Sequence, residues 1–234
     1  MTSKLYLIPT PLGDYDPAEV LPAPVLERIT ALDRFVVEDL RSARRFLSRA
    51  GLRGKIDGLT LRELSEHTAP REVEALLPLF DGADVGLLSE AGLPAVADPG
   101  AALVALCHSH GIEVVPLVGP SSLMLGLMAS GLNGQSFAFR GYLPAKTEER
   151  RAAIRSVEKQ SAALHQTQIF IETPYRNDAL LADLLAGLAP GTRLCIAANL
   201  TLPDALVRTR TVEQWRKDSI IIGKRPCVFL ILAQ

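Results

Sequence analysis

Few residues of this chain are spaced for chemistry of their own. Glu38 and Asp39 are adjacent carboxylates followed at once by Arg41, Arg44, Arg45 and Arg49. Such a carboxylate can take a proton from a hydroxyl within hydrogen-bond reach, or it can be held ionised in salt bridges to Arg41 or Arg44. Gly119-Pro120-Ser121-Ser122-Leu123 contains a serine pair without the second glycine of a G-x-S-x-G elbow. Capping of the next helix is therefore the better reading, because serine favours N-cap positions. His67, His108, His110 and His165 have no metal-ligand spacing with cysteine or carboxylate, so no metal is expected. Neither GxGxxG after a strand nor GxxxxGK[ST] is present, which argues against a dinucleotide or Walker nucleotide site. What remains is four loops rich in Gly, Pro and Ser, at residues 9–14, 89–100, 118–122 and 141–144. Glycine lets a backbone approach a ligand closely, and N–H groups at helix starts suit polar or anionic groups. Together they suit a nucleoside-like ligand held mostly by backbone.

The elements that must position these loops follow from apolar patterning. Residues 85–88 and 112–117 are short apolar runs that read as strands, with an Ala/Leu/Val helix over 101–108 between them. Both flanking loops fall where a strand ends and a helix begins, the edge at which open α/β sheets hold ligands. Upstream, the pattern predicts a strand from residue 4, ended by prolines and glycine. A helix over 24–32, a strand over 35–37 and a basic helix over 41–49 follow, the last with Phe46 and Leu47 facing inward. Residues 59–67 carry no clear pattern, and 70–79 reads as helix.

Beyond Gly131 the pattern predicts strands near 137–140, 169–172, 194–198, 205–211 and 228–232, with helices over 147–164 and 175–188. Strands here follow one another with less helix between, which suggests a mixed, partly antiparallel sheet. The domain junction is expected near Gly141, giving an N-terminal α/β domain over 1–140 and a C-terminal α/β domain over 141–234.

The 234 residues suffice for one or two domains with a substantial core. A net charge of −1 gives no global pull towards nucleic acid or anionic membrane, though local basic faces can still form. Cys107, Cys195 and Cys227 lie far apart in apolar contexts, as core residues of a reduced protein would. No apolar run approaches the ~20 residues of a membrane span, and the first residues lead straight into a strand. A cytoplasmic protein without a signal peptide is expected.

Taken in order, LYLIPTPLGD, SEAGLPAVADPG, PLVGPSS, RGYLPAK and IFIETPYRN resemble the tetrapyrrole methylase superfamily. Within it they look most like the ribosomal RNA small-subunit methyltransferase I branch, which methylates a cytidine ribose at its 2'-hydroxyl. The resemblance covers nearly the whole chain. It implies two α/β domains, the first with a mainly parallel sheet and the second with a mixed one, S-adenosylmethionine (SAM) in a cleft between them, and a homodimer. It places Pro11 near the cofactor, and the backbone of Ala91, Gly92, Leu93 and Pro94 along its methionine part, with Val96 and Asp98 on the same loop. Ser121 and Ser122 take the place of a small or hydroxyl pair after a Pro-Gly-Pro turn. Ile171, Glu172, Asn199 and Leu200 fall where the family lines adenine and ribose, and Pro226 opens the last strand nearby. Each also has a local reading: Pro11 and Pro94 as turn formers, Asp98 as an N-cap, Ile171 as core.

The chain departs from the branch at several of these places. Val118-Gly119-Pro120 stands for Pro-Gly-Pro, Glu90 for Asp, and Glu38-Asp39-Leu40-Arg41 for an Asp-Thr-Arg pattern. Tyr175 stands where His is usual, and Ala198-Asn199-Leu200-Thr201 where Arg-Glu-Leu-Thr is usual. These changes leave the cofactor reading largely intact and bear on the substrate. SAM carries an activated methyl, so the protein has chiefly to align the reactants and exclude water. Glu38 and Asp39 are the candidate proton acceptors, and Arg41, Arg44, Arg45 and Lys146 the candidate contacts to RNA phosphates. Two alternatives stay open: a methyltransferase acting on a tetrapyrrole or other small molecule, and a SAM-binding or RNA-associated module without turnover.

Overall fold

A computed structural model describes residues 3–97 and 99–233, so the expectations for Asp98 lie outside the described residues. The chain forms two compact units, Met1–Ser121 and Ser122–Gln234.

The first unit is built on β1 (Lys4–Ile8), α1 (Ala23–Thr30), β2 (Arg34–Val37), α2 (Leu40–Leu47), β3 (Thr60–Glu63), α3 (Pro70–Glu74), β4 (Val85–Leu88), α4 (Ala101–Ser109) and β5 (Glu113–Pro116). Its five strands lie in the order β3-β2-β4-β1-β5, and every pairing is parallel. A parallel sheet needs crossovers that cover both faces, and the side chains alternate accordingly. Tyr6, Ile8, Phe35, Val37 and Leu88 join one apolar cluster with α1 and α2. Leu5, Val36, Val85 and Leu87 join another with Val73, Phe80, Leu103 and Cys107. Gly86 in β4 is required by this packing, since a Cβ there would stand 2.6 Å from Ile8 and 2.7 Å from Phe35.

The second unit comprises α5 (Ser122–Ser130), β6 (Phe137–Tyr142), α6 (Thr147–Leu164), β7 (Thr167–Glu172), α7 (Asn177–Gly187), β8 (Arg193–Ala198), β9 (Leu206–Thr211), α8 (Val212–Trp215) and β10 (Cys227–Leu232). Its sheet runs β6-β7-β10-β8-β9 and is mixed: β6 and β7 are parallel, the other pairs antiparallel. One face packs Phe170, Leu194, Ile196, Phe229 and Ile231 with residues of α6, α7 and α8. The other packs Ile169, Cys195, Ala197, Val228 and Leu230 against Leu123 and Leu127 of α5.

This packing moves the division between units earlier than the expected 140/141. A Cβ on Gly126 of α5 would lie only 3.5–3.6 Å from Leu230, Ala197 and Val228, so α5 belongs to the second sheet. Gly141 is not the start of a loop either. It sits at φ +65 within β6, where the pairing with β7 shifts between Phe139 and Tyr142. The basic helix ends at Leu47 and continues as a single π-helical turn over Ser48–Leu52. The helix expected over 70–79 divides into α3 and a 3-10 turn at Leu77–Phe80. All three cysteines are buried and free, and burial pushes the thiols of Cys107 and Cys227 up to about 11 and about 12. Among the described residues no helix is long and apolar enough to cross a membrane.

Candidate functional site

Parallel register places the strand ends of the first unit side by side. Val37 of β2 pairs with Leu88 of β4, and Leu88 with Ile8 of β1. The residues that follow, Glu38, Ser89 and the Pro9-Thr10 pair, therefore emerge in a row at the carboxyl edge. Three of the expected loops meet there. Thr10 and Gly92 exchange backbone hydrogen bonds, Thr10 N donating to Gly92 O at 2.9 Å and Gly92 N to Thr10 O at 3.1 Å. Gly92 sits at φ +85, in the left-handed region that favours glycine. Gly119 lies so close to Pro9 that a Cβ would stand 2.2 Å from its ring, which clasps the third loop against the first.

The loop from Ser89 to Gly100 is unusual in its backbone. Ala95 and Ala97 have φ of 64 and 62 in addition to the positive φ of Gly92 and Gly100. Alanine in the left-handed region is uncommon, and such conformations gather at ligand clamps and switch regions. Pro94 is buried, Leu93 half-buried and Val96 exposed. Two hydroxyls at this edge lack any partner: Thr10 Oγ1 and Ser89 Oγ are buried and unsatisfied. A native structure seldom leaves such groups unpaired without a reason.

The adjacent carboxylates separate into different roles. Asp39 is exposed and caps α2, its Oδ1 accepting from Ser42 N at 2.7 Å. That bond and the Ser42 hydroxyl hold its carboxyl below the usual range. Glu38 is half-buried, and its Oε2 accepts from Glu90 N at 3.1 Å. Burial pushes the Glu38 carboxyl up. The Glu90 amide opposes that, and the neighbouring charges of Glu90, Glu66 and Asp39 reinforce it. Neither carboxylate forms an ion pair with Arg41 or Arg44 among the described residues. Glu38 is thus a half-buried carboxyl with its pKa raised, and Asp39 a helix cap.

A cavity of about 230 Å³ opens beside this edge, lined by the 10–15 stretch, Pro17, one face of α2 and its continuation, and Glu90 and Ala91. The α2 face is Ser42, Arg45, Phe46 and Arg49, which recur at helical spacing, while Ala43, Leu47 and Ala50 turn into the core. Phe46 is thus half-buried at the cavity wall. A hollow of about 530 Å³ lies among residues preceding β2, β3 and β4, at the amino edge of the same sheet. Parallel α/β sheets bind ligands at the opposite edge, so the smaller cavity is the stronger candidate. Arg41 and Arg44 are exposed and do not line it. Thr10, Glu90 and Phe46 were not among the expected site residues, whereas Arg49 belonged to the basic run expected to meet RNA phosphates. The helical spacing of Ser42, Arg45, Phe46 and Arg49 was the available signal.

In the second unit the expected residues also gather. Glu172, Cys227 and Ala198 pair across three strands, and Asn199 N donates to Pro226 O at 2.9 Å. Asn199 and Thr201 have φ of 48 and 72, with Leu200 half-buried between them. Glu172 is buried: Oε1 accepts from Thr173 N at 2.7 Å and Arg176 Nη2 at 2.6 Å, while Oε2 has no partner. Ile171 is half-buried against the apolar cluster that includes Leu123. Ser121 and Ser122 are half-buried at the point where the first unit ends and the second begins. Lys146 is exposed in the second unit and pairs with Glu149 at 3.2 Å.

A wholly parallel α/β unit with clasped glycine and proline loops, followed by a mixed α/β unit, is the architecture of the tetrapyrrole methylase fold. The chain belongs to that family: residues 4–215 match the family model of the tetrapyrrole (corrin/porphyrin) methylases. It is 35% identical over 199 residues to the ribosomal RNA small subunit methyltransferase I of Escherichia coli O157:H7, covering 85% of this chain and 65% of that protein. It is 34% identical over 210 residues to the protein of the same name from Mesorhizobium japonicum, covering 89% and 67%. The chain therefore spans about two thirds of the length of these curated relatives. Among solved structures, diphthine synthase superposes with a TM-score of 0.67 at 18% identity, over 99% of this chain and 90% of that one.

Proposed function

We propose that this chain is a SAM-dependent methyltransferase that modifies a ribose 2'-hydroxyl of ribosomal RNA, as a cytoplasmic homodimer. The observation that carries the reading is the clasp of three strand-end loops around Gly92, with strained alanines and unsatisfied hydroxyls beside it. The names of the relatives point to methylation of small-subunit ribosomal RNA.

The residues present fit the cofactor. The Ala91–Pro94 stretch, Val96 and Pro11 offer backbone and apolar contacts without an obligate charge, as a sulfonium nucleoside with its own zwitterionic tail requires. SAM supplies, when bound, a methyl group already activated for transfer. The protein's share is alignment and proton removal. Glu38 accepts the proton of the attacking hydroxyl, and its raised pKa makes it the stronger base once ionised. Glu90 N holds the Glu38 carboxylate in place, and Asp39 fixes the start of α2, whose arginines meet RNA phosphates.

The test is transfer of a labelled methyl group to small ribosomal subunits that lack the modification. The expected result is a labelled 2'-O-methyl nucleoside after digestion. SAM binding with no transfer to RNA, but with transfer to a tetrapyrrole, would overturn the RNA reading. Sedimentation of the pure chain tests the dimer.

A further inference from the structure

The cavity beside the carboxyl edge is charged in a way that the cofactor does not explain. Its lining holds two cations and two carboxylates. Arg49 and Asp14 form an ion pair and largely neutralise each other. Arg45 makes no hydrogen bond or ion pair among the described residues, although its charge also acts on Asp14. Glu90 is exposed at the other side, its amide committed to Glu38. Thr10 adds a hydroxyl that is 2% exposed as a residue and has no partner.

We propose that this cavity seats one ribose–phosphate unit of the RNA strand, with Arg45 on the phosphate and Thr10 and Glu90 on the sugar. The inference rests on the RNA reading above and deepens it. A ribose–phosphate carries an anion and hydroxyl donors a few ångströms apart, which is the pairing that an open arginine and a carboxylate accept. A free inorganic anion would gain nothing from Glu90, and an acidic peptide would be repelled by it. At about 230 Å³ the space is large enough for a sugar with its phosphate. Glu90, at the cavity wall, is joined through its backbone to Glu38. Thr10 lines the cavity, and its hydroxyl has no partner among the described residues.

The experiment is fluorescence anisotropy with a short, labelled, single-stranded oligoribonucleotide. It compares wild type, Arg45→Ala, Thr10→Val and the charge-matched surface control Arg71→Ala. SAM affinity and thermal unfolding are measured on the same samples. Arg45→Ala should weaken RNA binding about tenfold and flatten the log–log salt slope by roughly 0.7, the loss of one phosphate contact on a single strand. Thr10→Val should weaken it about threefold without lowering the unfolding temperature, because the deleted hydroxyl has no protein partner. SAM affinity should not change in Arg45→Ala, and Arg71→Ala should stay within twofold of wild type. Wild type that binds SAM but not the oligonucleotide would sink both the RNA reading and the seat. Wild type that binds RNA, with Arg45→Ala no weaker than Arg71→Ala, would sink the seat alone.

Discussion

Two arginine-rich stretches look alike as sequence and meet different fates in the fold. The first, on α2, keeps Arg45 open at a cavity and commits Arg49 only to Asp14. The second, on β6 and α6, is spent on structure. Arg150 is buried and donates from Nε and Nη2 to Asp183 Oδ2 at 2.8 and 2.5 Å, and from Nη1 to Ala145 O at 2.7 Å. Arg151 Nε donates to the other Asp183 oxygen at 3.0 Å, and Arg140 is held by Gln168 and Gln160. The cause lies in sheet topology. A parallel sheet delivers every strand end to one edge, so the helix after β2 lays a face along the loops. In the mixed sheet α6 instead packs beside α7, and its arginines tie the two helices through Asp183. A run of positive charge therefore has no fixed meaning until the fold says what lies opposite.

Arg150→Ala tests this difference with the largest expected effect. It leaves the buried Asp183 carboxylate with Arg151 as its remaining cation, a loss of up to about 3–5 kcal/mol. Urea unfolding should show a midpoint shift of that order, and a shift under 1 kcal/mol would break the contrast. The same pair sets an acid limit. Burial pulls the Asp183 carboxyl up, but Arg150 and Arg151 outweigh it and hold it below its ordinary value. The stabilisation is then fully present above the unfolded-state pKa and is lost as pH falls through the lower folded one. The Arg150→Ala variant should show a flatter acid limb in stability than wild type.

Gly92→Val comes next and acts on the first unit. Valine at φ +85 is strained by roughly 1–3 kcal/mol, and its Cβ would also press on Leu12 at 3.4 Å. The clasp to Thr10 should loosen, and calorimetric SAM binding should be lost while far-UV circular dichroism still reports a folded chain. Unchanged SAM affinity would remove the loop from the cofactor site.

The strands and strand-end loops of both units were legible because apolar runs bounded by glycine and proline are a local signal. β3 was not, because it is an edge strand in which Leu61 is the one apolar residue and all four are half-exposed or exposed. The boundary between units was displaced because α5 is apolar almost all round, down to exposed Met124 and Met128, so composition does not say which sheet it covers. At the carboxyl edge, Glu38 and the 89–100 loop could be picked from position, and the 91–94 stretch within it only from the family resemblance. Thr10 could not, since an unsatisfied hydroxyl is defined by its surroundings. Asp183 as the partner of Arg150 was equally hidden, because the two stand 33 residues apart.

Glu38→Gln separates catalysis from stability. Loss of a general base costs about 10²–10⁴-fold in rate, read as kcat at saturating RNA and SAM. Stability should not fall at neutral pH. A carboxyl with a raised folded pKa contributes stability that is complete below the unfolded pKa and lost as pH rises through the folded one, and glutamine carries no such loss. The wild-type rate should climb with pH through the raised Glu38 pKa, and the variant's should not. A variant with wild-type kcat would move the proton acceptor elsewhere.

The smallest expected effect belongs to Lys146→Ala. Lys146 and Glu149 are exposed partners one helical turn apart, with side chains 83% and 58% accessible. Exposed pairs contribute roughly 0–1 kcal/mol and are screened by salt. The variant should unfold within about 0.5 kcal/mol of wild type, as other exposed ion pairs do when cut, and that gap should close at high salt. The deficit of Arg150→Ala should persist there, because water and ions do not reach its partner. If both deficits vanished together with added salt, Asp183 would be solvated in solution and the second arginine run would be as open as the first.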